Sequence, residues 1–252
     1  MAQIDNRYAQ PGYGARTDVA VDEGLRAYML RVYNYMTGGV FLTGLTAYFT
    51  SQAAITTGPT GARVLTDFGQ VIYTSPLSWV IMLAPLAFVF LISFRAYKMS
   101  VGAAQIAFWA FAAVMGLSLS SIFLVYTGQS ITQVFFVTAA AFGALSLYGY
   151  TTKKDLSGWG SFLIMGVIGI IIAALVNIFL QSSALQFAIS VIGVLVFAGL
   201  TAYDTQRIKD GYYQVMGDAT ATTKAAILGA LSLYLDFINM FVMLLQLFGN
   251  RE

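Results

Sequence analysis

The sequence contains no cysteine and no histidine, and only 10% of its 252 residues are charged. Disulfide bonds, thiol chemistry, zinc sites built on Cys or His, and imidazole proton relays are therefore excluded. Any ionisable chemistry must come from Asp, Glu, Lys, Arg or Tyr side chains. The net charge of +2 is too small to predict binding to nucleic acid.

Apolar residues, by contrast, make up 58% of the chain, and its mean hydropathy is +0.75. This composition is typical of an integral membrane protein. A bilayer core of about 30 Å requires roughly 20 apolar residues in a helix. We therefore predict an all-α fold with a polar N-terminal tail (residues 1–31) and a transmembrane domain (residues 32–252) of seven helices, over Val32–Ser51, Leu77–Phe94, Val101–Tyr126, Ile131–Tyr150, Ser161–Leu180, Ala184–Tyr203 and Ala225–Phe248.

The basic residues indicate how these spans are oriented. Eleven Lys and Arg residues lie in the N-terminal tail and in the connections after spans two, four and six, whereas Arg63 and Arg251 are the two on the other side. Because Lys and Arg are retained in cytoplasmic segments, we predict a cytoplasmic N-terminus and an outside C-terminus.

Acidic residues at the spans are the candidates for chemistry. Asp236 is the one formal charge inside the seven predicted spans, and Asp204 follows span six directly. A carboxylate at mid-membrane costs about 2.5 kcal/mol or more, so it normally faces a partner or water. We favour the interpretation that Asp236 is an ion or proton site. The alternative is that it forms a buried ion pair, or is a hydrogen-bonded carboxylic acid, that only holds the helices together.

Arg95, at the end of span two, lies on the same predicted side as Asp204. Two neighbouring carboxylates titrate as a coupled pair, so protonation would change what the pair binds. Oxygen ligands suit calcium, which takes six to eight of them, and Asn239 lies on the same helix face as Asp236 as a candidate supporting ligand. Arg95 is either a competing cation that latches the helices or an interfacial anchor.

The predicted depths of Asp204 and Asp236 in the membrane argue against direct contact between the two carboxylates. Asp236 is eleven residues into span seven, about 16 Å at the rise of an α-helix, whereas Asp204 is at the hydropathy boundary marked by Arg207. A direct pair requires span six to continue as a helix past Arg207, span seven to lie lower, or a water-filled vestibule.

Two long motifs resemble the signature regions of the Bax inhibitor-1 family in a bacterial form. They are Phe197–Tyr213, with the sequence FAGLTAYDTQRIKDGYY, and Ala230–Arg251, with the sequence ALSLYLDFINMFVMLLQLFGNR. The resemblance implies six helices around a central C-terminal helix and a pH-sensitive calcium leak across a bacterial inner membrane. It also implies a di-aspartyl sensor at Asp204 and Asp236 and a latch at Arg95. From their position and chemistry, Asp204 and Asp236 are also the candidate calcium ligands, and Arg207 is a candidate supporting residue.

Other functions remain as alternatives. The family resemblance also extends to bacterial proteins that modulate a membrane-bound protease, a role that would use the polar N-terminal tail. A retinal protein is excluded because span seven carries no lysine. This sequence does not contain the glycine-rich partner motif that is expected of an intramembrane aspartyl protease. We therefore expect no enzymatic activity and no cofactor. The expected partners are calcium as the transported ion, membrane lipid and, in the alternative, a membrane protease.

Overall fold

The computed structural model describes residues 13–58, 63–95 and 98–251, and almost all of them are helical. The elements in chain order are α1 (Tyr13–Ala54), β1 (Ile55–Thr57), β2 (Arg63–Leu65), α2 (Asp67–Tyr73), α3 (Leu77–Arg95), α4 (Val101–Leu119), α5 (Ile122–Val125), α6 (Gly128–Thr151), α7 (Ser157–Leu180), α8 (Ser183–Val215) and α9 (Ala219–Phe248). The all-α prediction is confirmed apart from the small antiparallel hairpin β1–β2, which pairs Ile55 with Leu65 inside the long connection after the first predicted span.

Five segments of the described chain are long and apolar enough to cross a membrane. They are α4 with α5, α6, α7, α8 and α9. The pair α2 and α3, bent by 57°, adds a sixth if it forms a single span. α1 is not among them, because Thr, Tyr and Gly residues alternate with its apolar ones. A membrane fold with five or six such spans is therefore established, and the count of seven stays a prediction.

The C-terminal helix α9 is the most buried of these segments. Within its apolar stretch, 67% of the residues are buried, compared with 39% or less in the others. It packs against α8, α1, α6 and α4, while α3 packs on α4 and α7 on α8. α9 thus lies at the centre of the bundle, with four helices around it in direct contact and α3 and α7 farther out.

Tyr234 shows why α9 holds its neighbours together. Its side chain is fully buried, and its ring meets the edges of Phe108 and Phe111 on α4. Its hydroxyl forms a hydrogen bond of 2.6 Å with Thr43 Oγ1 on α1, which donates in turn to the Ala112 carbonyl. One side chain thereby joins three helices through both apolar contact and satisfied polar groups.

Part of the predicted tail belongs to the folded bundle. Residues 13–31 continue the first predicted span as one helix, and Leu25, Tyr28 and Met29 are buried. The ring of Tyr28 lies 5.3 Å from that of Tyr212 near the end of α8. Residues 1–12 of the predicted tail lie outside the described residues.

α6 and α8 approach each other closely at Gly149. A Cβ at this position would overlap the carbonyl oxygen of Ala202, two residues before Asp204, so only glycine allows this distance between the backbones. We expect Gly149→Ala to destabilise the fold by about 1–3 kcal/mol, because the backbones must separate. Thermal unfolding in detergent would measure this as a lowered midpoint.

Gly143→Ala, on the same helix, is the matched control. A Cβ at Gly143 meets open space, so its midpoint should be unchanged or slightly raised by the better helix propensity of alanine. Equal midpoints for the two variants would contradict the close packing at Gly149.

Candidate functional site

Asp204 lies inside a helix, not at its end. The sequence-based boundary at Tyr203 was wrong for the helix, because α8 continues to Val215. Hydropathy falls where Arg207, Lys209 and Asp210 begin, but one face of the helix remains buried through Asp204, Ile208 and Tyr212. This spacing of four residues keeps that face against the bundle, while Arg207 and Asp210 are exposed on other faces.

Asp236 lies on the central helix α9, and only 4% of its surface is exposed. Its neighbours Leu233, Tyr234 and Met240 are almost completely buried. Within the described part of the chain, its Oδ2 atom is buried without a hydrogen-bond partner. A buried carboxylate oxygen that lacks a partner is costly, and such an atom is a place where a proton or a cation can bind.

The register between α8 and α9 brings the two aspartates together. Ile208 packs against Gly229, and Met243 packs against Gly193, so the two helices run antiparallel along most of their length. In this register Asp204 is level with Leu233, and Asp236 lies about one helical turn, roughly 5 Å, farther along. Asp204 and Arg207 are close enough to Asp236 for their charges to act on it.

Arg207 is the cation of this site. One guanidinium nitrogen lies 3.1 Å from Asp204 Oδ1, and the same nitrogen is 3.4 Å from the Ser232 hydroxyl on α9. The guanidinium also lies over the Tyr203 ring, 5.6 Å from its centre. Half of the Arg207 side chain is exposed, whereas Asp204 is buried. The sequence marked Arg207 only as a boundary residue and a candidate supporting residue, because the continuation of α8 was not apparent.

The other two predicted site residues, Arg95 and Asn239, form no hydrogen bond or ion pair with either aspartate among the described residues. Arg95 is exposed at the end of α3, and it forms no ion pair with either aspartate within the described residues. α3, which ends at Arg95, packs mainly on α2 and α4 among the described residues. The amide nitrogen of Asn239 donates to the Leu235 carbonyl of its own helix at 2.9 Å. The roles of Arg95 and Asn239 stay predictions.

The side chains that could hold a metal are few. Among the described residues, no group of three or more Asp, Glu, His or Cys residues converges on one point. Calcium at Asp204 and Asp236 would need its other ligands from carbonyl groups, amide oxygens and water.

A polar chain that the sequence did not reveal connects α8 to α6 and α1. Thr205, next to Asp204, forms a hydrogen bond of 2.9 Å with Ser146, and Ser146 forms one of 2.6 Å with the Tyr33 hydroxyl. Gln206 is also buried, and it binds Leu156 N and Lys154 O in the connection between α6 and α7. The only available signal was the run of polar residues after Ala202.

Comparison with known proteins gives the same assignment as the two motifs. Residues 25–252 match the family described as "Inhibitor of apoptosis-promoting Bax1". An uncharacterized protein of Caulobacter vibrioides is 46% identical over the full length of both chains. The inner membrane protein YbhL of Escherichia coli K12 is 46% identical over 91% of this chain and 94% of its own. An uncharacterized protein of Rickettsia prowazekii is 48% identical over 92% of each chain. The chain is a multi-pass bacterial membrane protein, and it belongs to the Bax inhibitor-1 family.

Proposed function

We propose that this protein is a pH-sensitive calcium leak pathway of the bacterial inner membrane, and not an enzyme. In this proposal α1 is a seventh span, the N-terminus is cytoplasmic and the C-terminus is outside. The inner-membrane location is supported by the name of the E. coli relative and by the Lys and Arg distribution. Asp204 and Asp236 form the sensor and the ion site.

The observation that carries this proposal is an imbalance of charge in a buried site. Asp204 is paired with Arg207, but Asp236 adds a second carboxylate with an unpartnered, buried oxygen. Two carboxylates and one guanidinium leave one negative charge, which is costly in a medium of low dielectric constant. A proton or a second cation at Asp236 removes that cost. Protons and calcium therefore compete for the same place.

Arg207 provides the movable part of the site. Its exposed half reaches water, and its contact with Ser232 is long at 3.4 Å, so the guanidinium can leave without exposing the core. When it leaves, both carboxylates face one space, and calcium can enter between them with water and the Asn239 amide oxygen as further ligands. At low pH protonation removes these anionic ligands, so calcium binding weakens as pH falls.

The first test is calcium flux into proteoliposomes at several pH values. Wild-type protein should show a flux that changes with pH, and both Asp204→Asn and Asp236→Asn should lose most of that change, because the asparagine side chain does not titrate. Asp210→Asn, an exposed aspartate on the same helix, is the matched control and should behave as wild type. An unchanged pH response in both site variants would contradict the mechanism.

A second experiment asks which arginine restrains the site. Arg207→Gln should raise the basal leak several-fold, because the cation that occupies the ion position is gone. Arg95→Ala should raise it only if α3 moves toward the aspartates in another state of the protein. Lys98→Ala removes an exposed charge near Arg95 and serves as the control. If Arg95→Ala alone raises the leak, Arg95 is the latch and Arg207 is only a structural partner of Asp204.

A further inference from the structure

A groove between α1 and α6 is separate from the aspartate site. Its volume is about 610 Å³, and α9 forms its floor through Phe237. The walls come from α1, between Arg26 and Val40, and from α6, between Phe135 and Tyr150. Tyr33 and Ser146 contribute hydroxyl groups that are hydrogen bonded to each other, and the rest of the groove is largely apolar.

The groove is open toward the surroundings of the bundle. Leu30 and Leu147, on opposite walls, are 52% and 63% exposed. α6 is one of the helices apolar enough to span the membrane, so the neighbour of Leu147 is lipid and not water. The occupant of the groove must therefore be soluble in the bilayer.

The dimensions of the groove suit a single acyl chain. Fourteen residues separate Arg26 from Val40, about 21 Å at the rise of an α-helix, while one leaflet of the hydrocarbon core is about 15 Å thick. An extended acyl chain can therefore lie along the groove, between the walls formed by α1 and α6.

Basic residues lie at one end of the groove. Arg26 is exposed and is the first residue of α1 that lines it. Tyr150 is the last on α6, and Lys209 donates to its carbonyl oxygen at 3.0 Å and lies over its ring. Both positive charges are thus where a lipid headgroup would be if its chain lay in the groove. This is the end that the charge distribution predicts to be cytoplasmic.

We propose that this groove binds one acyl chain of an anionic phospholipid, whose phosphate interacts with Arg26 and Lys209. The apolar walls bury the chain, and the two cations favour an anionic headgroup over a zwitterionic one. Lipid binding in the groove does not require calcium movement through the aspartate site. The lipid proposal and the calcium proposal can therefore be tested separately.

The test uses native mass spectrometry of the purified full chain, mixed with phosphatidylglycerol or with phosphatidylcholine. Gly143 lines the groove and an added Cβ there meets open space, so Gly143→Leu places a bulky side chain in the groove. We expect Gly143→Leu to lose most of the retained phosphatidylglycerol. Gly169→Leu, on the exposed face of α7 and also facing open space, should retain as much as wild type.

Arg26→Gln tests the headgroup contact. It should weaken phosphatidylglycerol binding about fivefold, which corresponds to about 1 kcal/mol for one basic residue near an anionic headgroup, and leave phosphatidylcholine binding unchanged. Lys153→Gln, an exposed lysine in the connection between α6 and α7, is the charge-matched control. Equal lipid retention by Gly143→Leu and wild type would overturn the proposal. So would equal losses in both leucine variants, or a lipid-free dimer as the main species.

Discussion

Two carboxylates and one guanidinium lie where α8 packs against α9, and each carboxylate buried there needs a proton, a cation or a hydrogen-bond donor beside it. Asp204 has Arg207 at 3.1 Å, whereas Asp236 has a buried oxygen without a partner among the described residues. Removing one partner of a buried ion pair typically costs 3–5 kcal/mol. Because the Asp236 carboxyl group lacks such a partner, a proton or cation that reaches it would change the balance of charge in the site.

The helices around the site are arranged so that this imbalance persists. α9 is central and well packed, with Tyr234 joined to α1 and α4 two residues before Asp236. Asp236 therefore cannot turn toward water without disturbing the core. Arg207, in contrast, is half exposed at the edge of the same site. The site therefore combines a carboxyl group held in the packed core with a guanidinium cation that is half exposed.

The polar chain from Thr205 through Ser146 to Tyr33 relates the aspartate site to the groove between α1 and α6. Thr205 is next to Asp204, and Tyr33 and Ser146 line the groove. Lys209 lies five residues after Asp204 on the same helix and contacts Tyr150 at the end of the groove. The same stretch of α8 thus carries Asp204 of the aspartate site and, through Thr205 and Lys209, contacts Ser146 and Tyr150 of the groove, so a displacement of α8 would alter both.

Much of this protein could be predicted from its sequence. Composition and apolar runs predict a helical membrane protein, and two motifs predict the family, because the free energy of placing residues in a bilayer depends mainly on their own chemistry. Asp204 and Asp236 stand out for the same reason, as acids at or within apolar segments. Hydropathy did not give the end of α8, because an average along the chain ignores which face of a helix a residue occupies.

Tertiary structure alone decided which charges meet. The register of Ile208 against Gly229 and of Met243 against Gly193 brings Asp204 within about one turn of Asp236. It also brings the Arg207 guanidinium, which pairs with Asp204 on its own helix, to the Ser232 hydroxyl on α9. The sequence by itself determined that the buried acids need partners, since that need follows from their charge. Which partners they have depends on how helices distant in the chain pack side by side.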